Sequence, residues 1–277
     1  MKKVTSPIPY NYITIKTTKS RIEKGLLAIP VSLISQFPKL ASKIYVLNDK
    51  GKEEEKTYTP YQSSSRECRI GGLKAFYSKY KINDGDEIVI QILDEGKYKI
   101  IPEKYFNERI KKLENNFEKS LNDIETEKNI KNLSYATNKS SIEVIQSEFV
   151  RMSQKEVYKR KTKLVPSNKT KENVPSSLRK ILVVLYGGKC QISGFTFIMK
   201  NGNPYFEIHH IDSLKGNHIK NLLVVSPNIH AQFTYTEPEH YFDSDSWLRK
   251  VRLNDNAYTV FQIIDKLPKY FEKEIHY

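Results

Sequence analysis

Five of the six histidines, His209, His210, His218, His230 and His240, crowd between positions 209 and 240 of a 277-residue chain. The pattern around them restricts the local fold. Residues 205–208 read as a strand that His209 and His210 close, and residues 212–217 read as a loop containing Gly216. Residues 221–225 read as a second strand, and Pro227 opens a helix that carries His230. Strand, loop, strand and helix in that order can bring two hairpin histidines and one helical histidine onto a single ion.

The rest of the chain reads as two modules and a connector. Short apolar runs at 12–16, 26–29, 43–47, 56–60, 66–70 and 87–93, separated by turn residues, predict strands of a small barrel or sandwich. Helical turns are expected at 31–37 and at 72–80, where Leu73, Phe76, Tyr77 and Tyr80 recur at helical spacing, and Asn83 to Asp86 reads as a turn. From 103 to 128 the apolar stripe Phe106, Ile110, Leu113, Phe117, Leu121, Ile124 predicts one charged helix. That helix would pack on its own domains or pair with a second copy. Residues 132–174 read as a basic connector: between 151 and 171, Arg151, Lys155, Lys159, Arg160, Lys161, Lys163, Lys169 and Lys171 face only Glu156. It is either a solvated surface or an arm that tracks DNA.

Composition narrows the class. The chain carries 46 Lys and Arg against 32 Asp and Glu, a net charge of +14, which favours a polyanionic partner, nucleic acid first. With 38% hydrophobic residues, a real core is expected. The dense apolar run at 181–185 is far shorter than the roughly 20 residues of a membrane span. Met1-Lys2-Lys3 leads into polar sequence, so an intracellular, cytoplasmic protein without membrane association is expected. Cys68 and Cys190 are read as reduced thiols.

The segment from Tyr186-Gly187-Gly188-Lys189-Cys190 through His209-His210, ten residues, Asn221, eight residues and His230 resembles the HNH, or ββα-metal, nuclease motif over about 176–235. The resemblance implies that His209 and His230 bind a divalent ion, magnesium or manganese, that His210 is the general base, and that Asn221 holds the hairpin and orients His210. Two Cys-x-x-Cys knuckles occur in many members of that family. Here Ser193 follows Cys190 and no second pair exists, so a structural zinc is not expected and Cys190 reads as a buried thiol. The chemistry stands independently: phosphodiester hydrolysis needs a deprotonated water and positive charge for the transition state. A neutral imidazole accepts that proton near physiological pH. His218 and His240 face DNA or are satisfied internally, Asp212, Ser213 and Lys215 lie in the loop that would meet the scissile strand, and Trp247 reads as packing.

A second resemblance concerns the first hundred residues. The runs 26–30, 44–47, 69–76 and 82–89 are similar to the B-three DNA-binding pseudobarrel of plant transcription factors and restriction-enzyme effector domains. In that family two loops grip the major groove. Here they correspond to Lys16, Thr17, Thr18, Lys19 and Arg21, and to Tyr61, Gln62, Ser63, Ser64 and Arg66, residue types that bind phosphate or read base edges unless the loops are simply polar turns.

The expectation is therefore an α+β chain: a β-pseudobarrel DNA-recognition domain at 1–103, a helical and basic connector at 104–174, and an HNH nuclease domain at 175–277. Together they imply a homodimeric restriction endonuclease acting on double-stranded DNA. A monomeric nicking or homing nuclease, and a DNA-binding regulator with an inactive HNH module, are the alternatives.

Overall fold

The computed structural model describes residues 1–40, 42–48, 51–63, 66–94, 96–158 and 173–277. They form a mixed α+β structure in which no helix is long and apolar enough to cross a membrane. The chain divides into two units: residues 1–112, 136–138 and 270–277, and residues 113–135 and 139–269. This differs from the sequence-based division at 103 and 174. The described residues of the connector, 104–158 and 173–174, fall within the two units, and the last eight of the chain return to the first.

In the first unit, strands β1 (Lys2–Thr5), β2 (Tyr12–Lys16), β3 (Leu27–Pro30), β4 (Lys43–Leu47), β5 (Glu53–Gln62), β6 (Glu67–Ile70), β7 (Glu87–Asp94) and β8 (Lys97–Pro102) join the C-terminal strand Glu272–His276. The described residues place them in one sheet, ordered β1, C-terminal strand, β2, β7, β8, β4, β5, β6, β3. Two pairings are parallel, C-terminal strand with β2 and β4 with β8. Period-two alternation sends Ile88 and Ile90 of β7 into the core and leaves Gln91 on the other face, where its amide donates to the Ala136 carbonyl. Phe37 stacks on Tyr98 at 4.4 Å inside that core. Helix α1 (Lys19–Lys24) stops at Gly25, whose φ of +67° suits a residue without Cβ; an added Cβ would also lie 2.5 Å from the Lys74 side chain, at the start of helix α2 (Lys74–Tyr80).

The single helix expected over 103–128 is broken. Helix α3 (Glu103–Glu118) ends, and α4 (Asp123–Thr137) restarts after Asn122, whose side-chain oxygen accepts from the Glu125 N–H at 2.9 Å. The break falls where the apolar stripe fails. Phe106, Ile110 and Phe117 are buried, whereas Leu121 and Ile124 stay exposed. The described part of the basic connector is largely helical. Ser140 and Glu143 form a reciprocal capping box that starts helix α5 (Ser141–Ser153), which buries Val144, Ile145, Phe149 and Val150. Arg151 in that helix is bound to Glu148 and Glu118, and Lys155 to Glu118, so neither is a free cation. Lys159, Arg160, Lys161, Lys163, Lys169 and Lys171 lie outside the described residues.

The second unit continues with helix α6 (Ser176–Tyr186), a small hairpin of β9 (Phe197–Ile198) and β10 (Pro204–Tyr205), then β11 (Glu207–His210), β12 (Leu222–Val225) and helix α7 (Pro227–Tyr235). Strands β13 (Glu239–Phe242), β14 (Leu248–Leu253) and β15 (Asn256–Thr259) form a separate antiparallel sheet. Leu223 and Val225 of β12, Ile229 and Phe233 of α7, and Leu248, Val251 and Leu253 of β14 share one core with the buried Cys190 thiol. The Cys190 Sγ accepts from the Ser193 N–H at 3.4 Å. Trp247 is buried against Phe149, a packing residue as expected.

Candidate active site

The antiparallel pair β11 and β12 sets the register: His209 lies opposite Leu223 and His210 opposite Leu222. Because successive strand side chains point to opposite faces, the two adjacent histidines take different surroundings. His209 turns toward α7, stacks on Phe233 at 4.3 Å and lies 5.3 Å from the His230 ring, centroid to centroid. Burial, reinforced by the nearby His230, His210 and His240, pushes the His209 pKa down to about 3 from 6.5. It is therefore neutral at physiological pH, the form that binds cations.

His230 is oriented by a carboxylate. Its Nδ1–H donates to Glu207 Oε2 at 2.5 Å, and the Tyr205 hydroxyl donates to Glu207 Oε1 at 2.8 Å. This leaves His230 Nε2 with its lone pair available, the arrangement common to metal-binding imidazoles. Glu207 was not singled out in the sequence, although it stands two residues before His209 and so shares its strand face.

His210 meets a different partner from the expected one. Its Nε2 lies 2.9 Å from the Asn217 side-chain oxygen, while Asn221 does not bond to its ring. Asn221 instead staples the loop that follows β11. Its Oδ1 accepts from the Asp212 N–H at 2.9 Å, and its Nδ2 donates to the carbonyls of Asp212, Lys215 and Gly216 at 3.0, 3.3 and 3.1 Å. Asn221 is 3% exposed, so these bonds form with little competition from water. Gly216 gives the loop its close approach: a Cβ there would fall 2.2 Å from the Tyr158 ring.

His209, His210 and His230 open onto one cleft of about 1000 Å3, also bordered by Arg179 and Ser213. Among the described residues no group of three or more His, Cys, Asp and Glu side chains is arranged to hold a metal ion, so a cation here would have the His209 and His230 imidazoles as protein donors. Imidazole nitrogens are borderline donors that suit zinc, iron or nickel, whereas magnesium and manganese prefer oxygen ligands, which here would be the water and phosphate oxygens the open cleft admits. The remaining histidines divide. His218 is buried, its Nδ1 accepting from the Lys220 N–H at 3.1 Å and its Nε2 donating to the Lys155 carbonyl at 3.0 Å, which makes it a structural cap. His240 is partly buried beside Phe233 and Phe242.

In the first unit, Lys16, Thr17, Thr18, Arg21 and Arg66 line one groove of about 340 Å3 with Glu67 and Tyr277. Two of them are already engaged. Thr17 is buried and its hydroxyl donates to the Asp86 carbonyl at 2.8 Å, so its side chain serves the turn. Arg21 makes a two-pronged pair with Glu67, which also accepts from Arg69 at 2.7 Å. Lys19 is exposed, its backbone N–H bound to Asp84. Tyr61, Gln62 and Ser63 are exposed beyond the groove, and Ser64 lies outside the described residues.

No protein-family model matches the chain, and no curated protein does. Among solved structures, a hypothetical protein of Arabidopsis thaliana is similar with a TM-score of 0.26 and 14% identity, over 36% of this chain and 89% of that one. A likeness of that size carries no argument about activity.

Proposed function

We propose that this chain is a divalent-metal-dependent HNH endonuclease, a restriction enzyme that hydrolyses double-stranded DNA and reads its site with a B-three-like pseudobarrel in the first unit. The observation that carries the reading is the placement of His209 and His230 side by side in a cleft that also receives His210 from the same strand. A bound magnesium or manganese ion would supply positive charge to the phosphate as negative charge builds on it. His209 and His230 would hold that ion, one kept neutral by burial and the other oriented by Glu207. His210 takes the proton of the attacking water, and Asn221 keeps the loop beside it in one shape. Arg179, exposed at the rim with its guanidinium over the Phe206 ring, would meet a phosphate.

Recognition rests on Lys16, Thr18 and Arg66 of the groove with the exposed Tyr61, Gln62 and Ser63, and the +14 charge favours the encounter. One such site cuts one strand, so a double-strand cut at a palindrome takes two copies related by a two-fold axis. The test is direct. Supercoiled plasmid with magnesium should give discrete linear fragments, and His210→Ala should abolish them while DNA binding persists. Persistent nicked circles would point to a monomeric nickase, and binding without any cut by the unaltered protein would overturn the enzymatic reading.

A further inference from the structure

We infer that Asn217 is the positioning residue of the general base, fixing which nitrogen of His210 carries the proton; the inference rests on the nuclease reading above. Two contacts determine the orientation of the Asn217 carboxamide. Its nitrogen lies 3.2 Å from the Asn173 carbonyl, which can only accept, so the Nδ2 amino group must face Asn173. Its oxygen is then the atom 2.9 Å from His210 Nε2. A carboxamide oxygen can only accept as well, so His210 Nε2 carries the hydrogen and the neutral ring keeps its lone pair on Nδ1.

The carboxamide is itself held. Asn217 stands between Gly216, whose N–H donates to the Tyr158 carbonyl at 3.1 Å, and His218, whose ring is bound to Lys155 and Lys220. The Asn221 staple closes the same loop from the other side. A proton leaving water arrives at His210 Nδ1, the new hydroxide attacks phosphorus, and the bond to the leaving oxygen breaks with its electron pair, which takes a proton from solvent. Through that step the Nε2–H bond to Asn217 persists and strengthens as the ring becomes cationic. Asn221, the asparagine of the spacing motif, acts on the loop, and Asn217 acts on the ring.

The experiment compares Asn217→Ala, Asn217→Asp and His210→Ala with the unaltered protein on one duplex, measuring single-turnover cleavage, DNA affinity, manganese affinity and the 15N shifts of the His210 ring. Asn217→Ala should lower the cleavage rate about a hundredfold, the scale of a misplaced base, with DNA and manganese affinities unchanged. The His210 nitrogen shifts should move toward a mixture of tautomers. Asn217→Asp keeps an acceptor and loses the donor to Asn173, so it should recover most of the rate and the single tautomer. Equal losses in Asn217→Ala and Asn217→Asp, or full cleavage by Asn217→Ala while His210→Ala is inactive, would overturn the inference alone. Full cleavage by His210→Ala would overturn the assignment of His210 as the base and this inference with it, whereas no cleavage by the unaltered protein would overturn the nuclease reading on which both rest.

Discussion

The loop after β2 in the first unit and the loop after β11 in the second both start where a strand ends, yet they use their polar side chains in opposite ways. After β2, Thr17 satisfies a neighbouring turn and Arg21 of helix α1 is paired with Glu67, so one cation of the groove is already engaged within the protein. After β11, Asn221 satisfies backbone groups of the loop, and Asn217 in that loop holds His210 by Nε2. Under the proposed function, the difference separates recognition from chemistry. A reading surface tolerates charges that must exchange partners on binding, whereas a reacting group needs neighbours that never let go.

That contrast can be broken in order of size. The largest effect belongs to His210→Ala, expected to cost between about a hundred- and ten-thousand-fold in single-turnover cleavage with little change in DNA affinity. Cleavage within a fewfold of normal would erase the distinction. Next comes Asn221→Ala, which leaves buried loop groups without partners and should lower unfolding free energy by about 1–3 kcal/mol in urea titrations. An unchanged midpoint would mean that the loop does not depend on its staple.

A smaller effect concerns acid. The folded His209 pKa lies at about 3, below its usual 6.5, so the unfolded chain binds the extra proton between those values. Stability of the metal-free protein should therefore be unaffected by this group above about pH 6.5 and fall as pH drops toward 3. Denaturant midpoints of His209→Gln at pH 7 and pH 4.5 should differ less than those of the unaltered protein. Equal pH dependence would remove the buried neutral imidazole from the account. The smallest effect is in the groove. Glu67 is partly buried, which by itself would raise its pKa, but Arg21 and Arg69 hold it below the usual carboxylate range. Glu67→Gln should release Arg21 and steepen the salt dependence of DNA binding by about 0.9 in slope, read from affinities at several salt concentrations.

Much of the framework was legible in the residues. The strands at 12–16 and 43–47 match the structure because alternation of apolar and polar residues marks a half-buried strand regardless of its partner. The hairpin and helix around His209 and His230 were equally readable from local pattern. The α3 to α4 break was not, since Leu121 and Ile124 continue the helical stripe although neither is buried. Helix α5 had a signal that was passed over, the Ser140 to Glu143 box ahead of an apolar run. At the site, Glu207 was findable by strand parity, but Asn217 was not. Its role depends on Asn173, 44 positions earlier, and no spacing rule links the two.

The C-terminal strand lies between β1 and β2, pairing Lys2 with Ile275 and Tyr12 with Lys273. Its Lys273 ammonium is held by Glu87 and Glu103. During synthesis, ribosomes release the N-terminal segments first, and those segments usually finish folding first. Among the described residues β1 pairs with the C-terminal strand alone, so this sheet takes on its full set of strands only once residues 272–276 are available, after the residues of the histidine cleft have been translated.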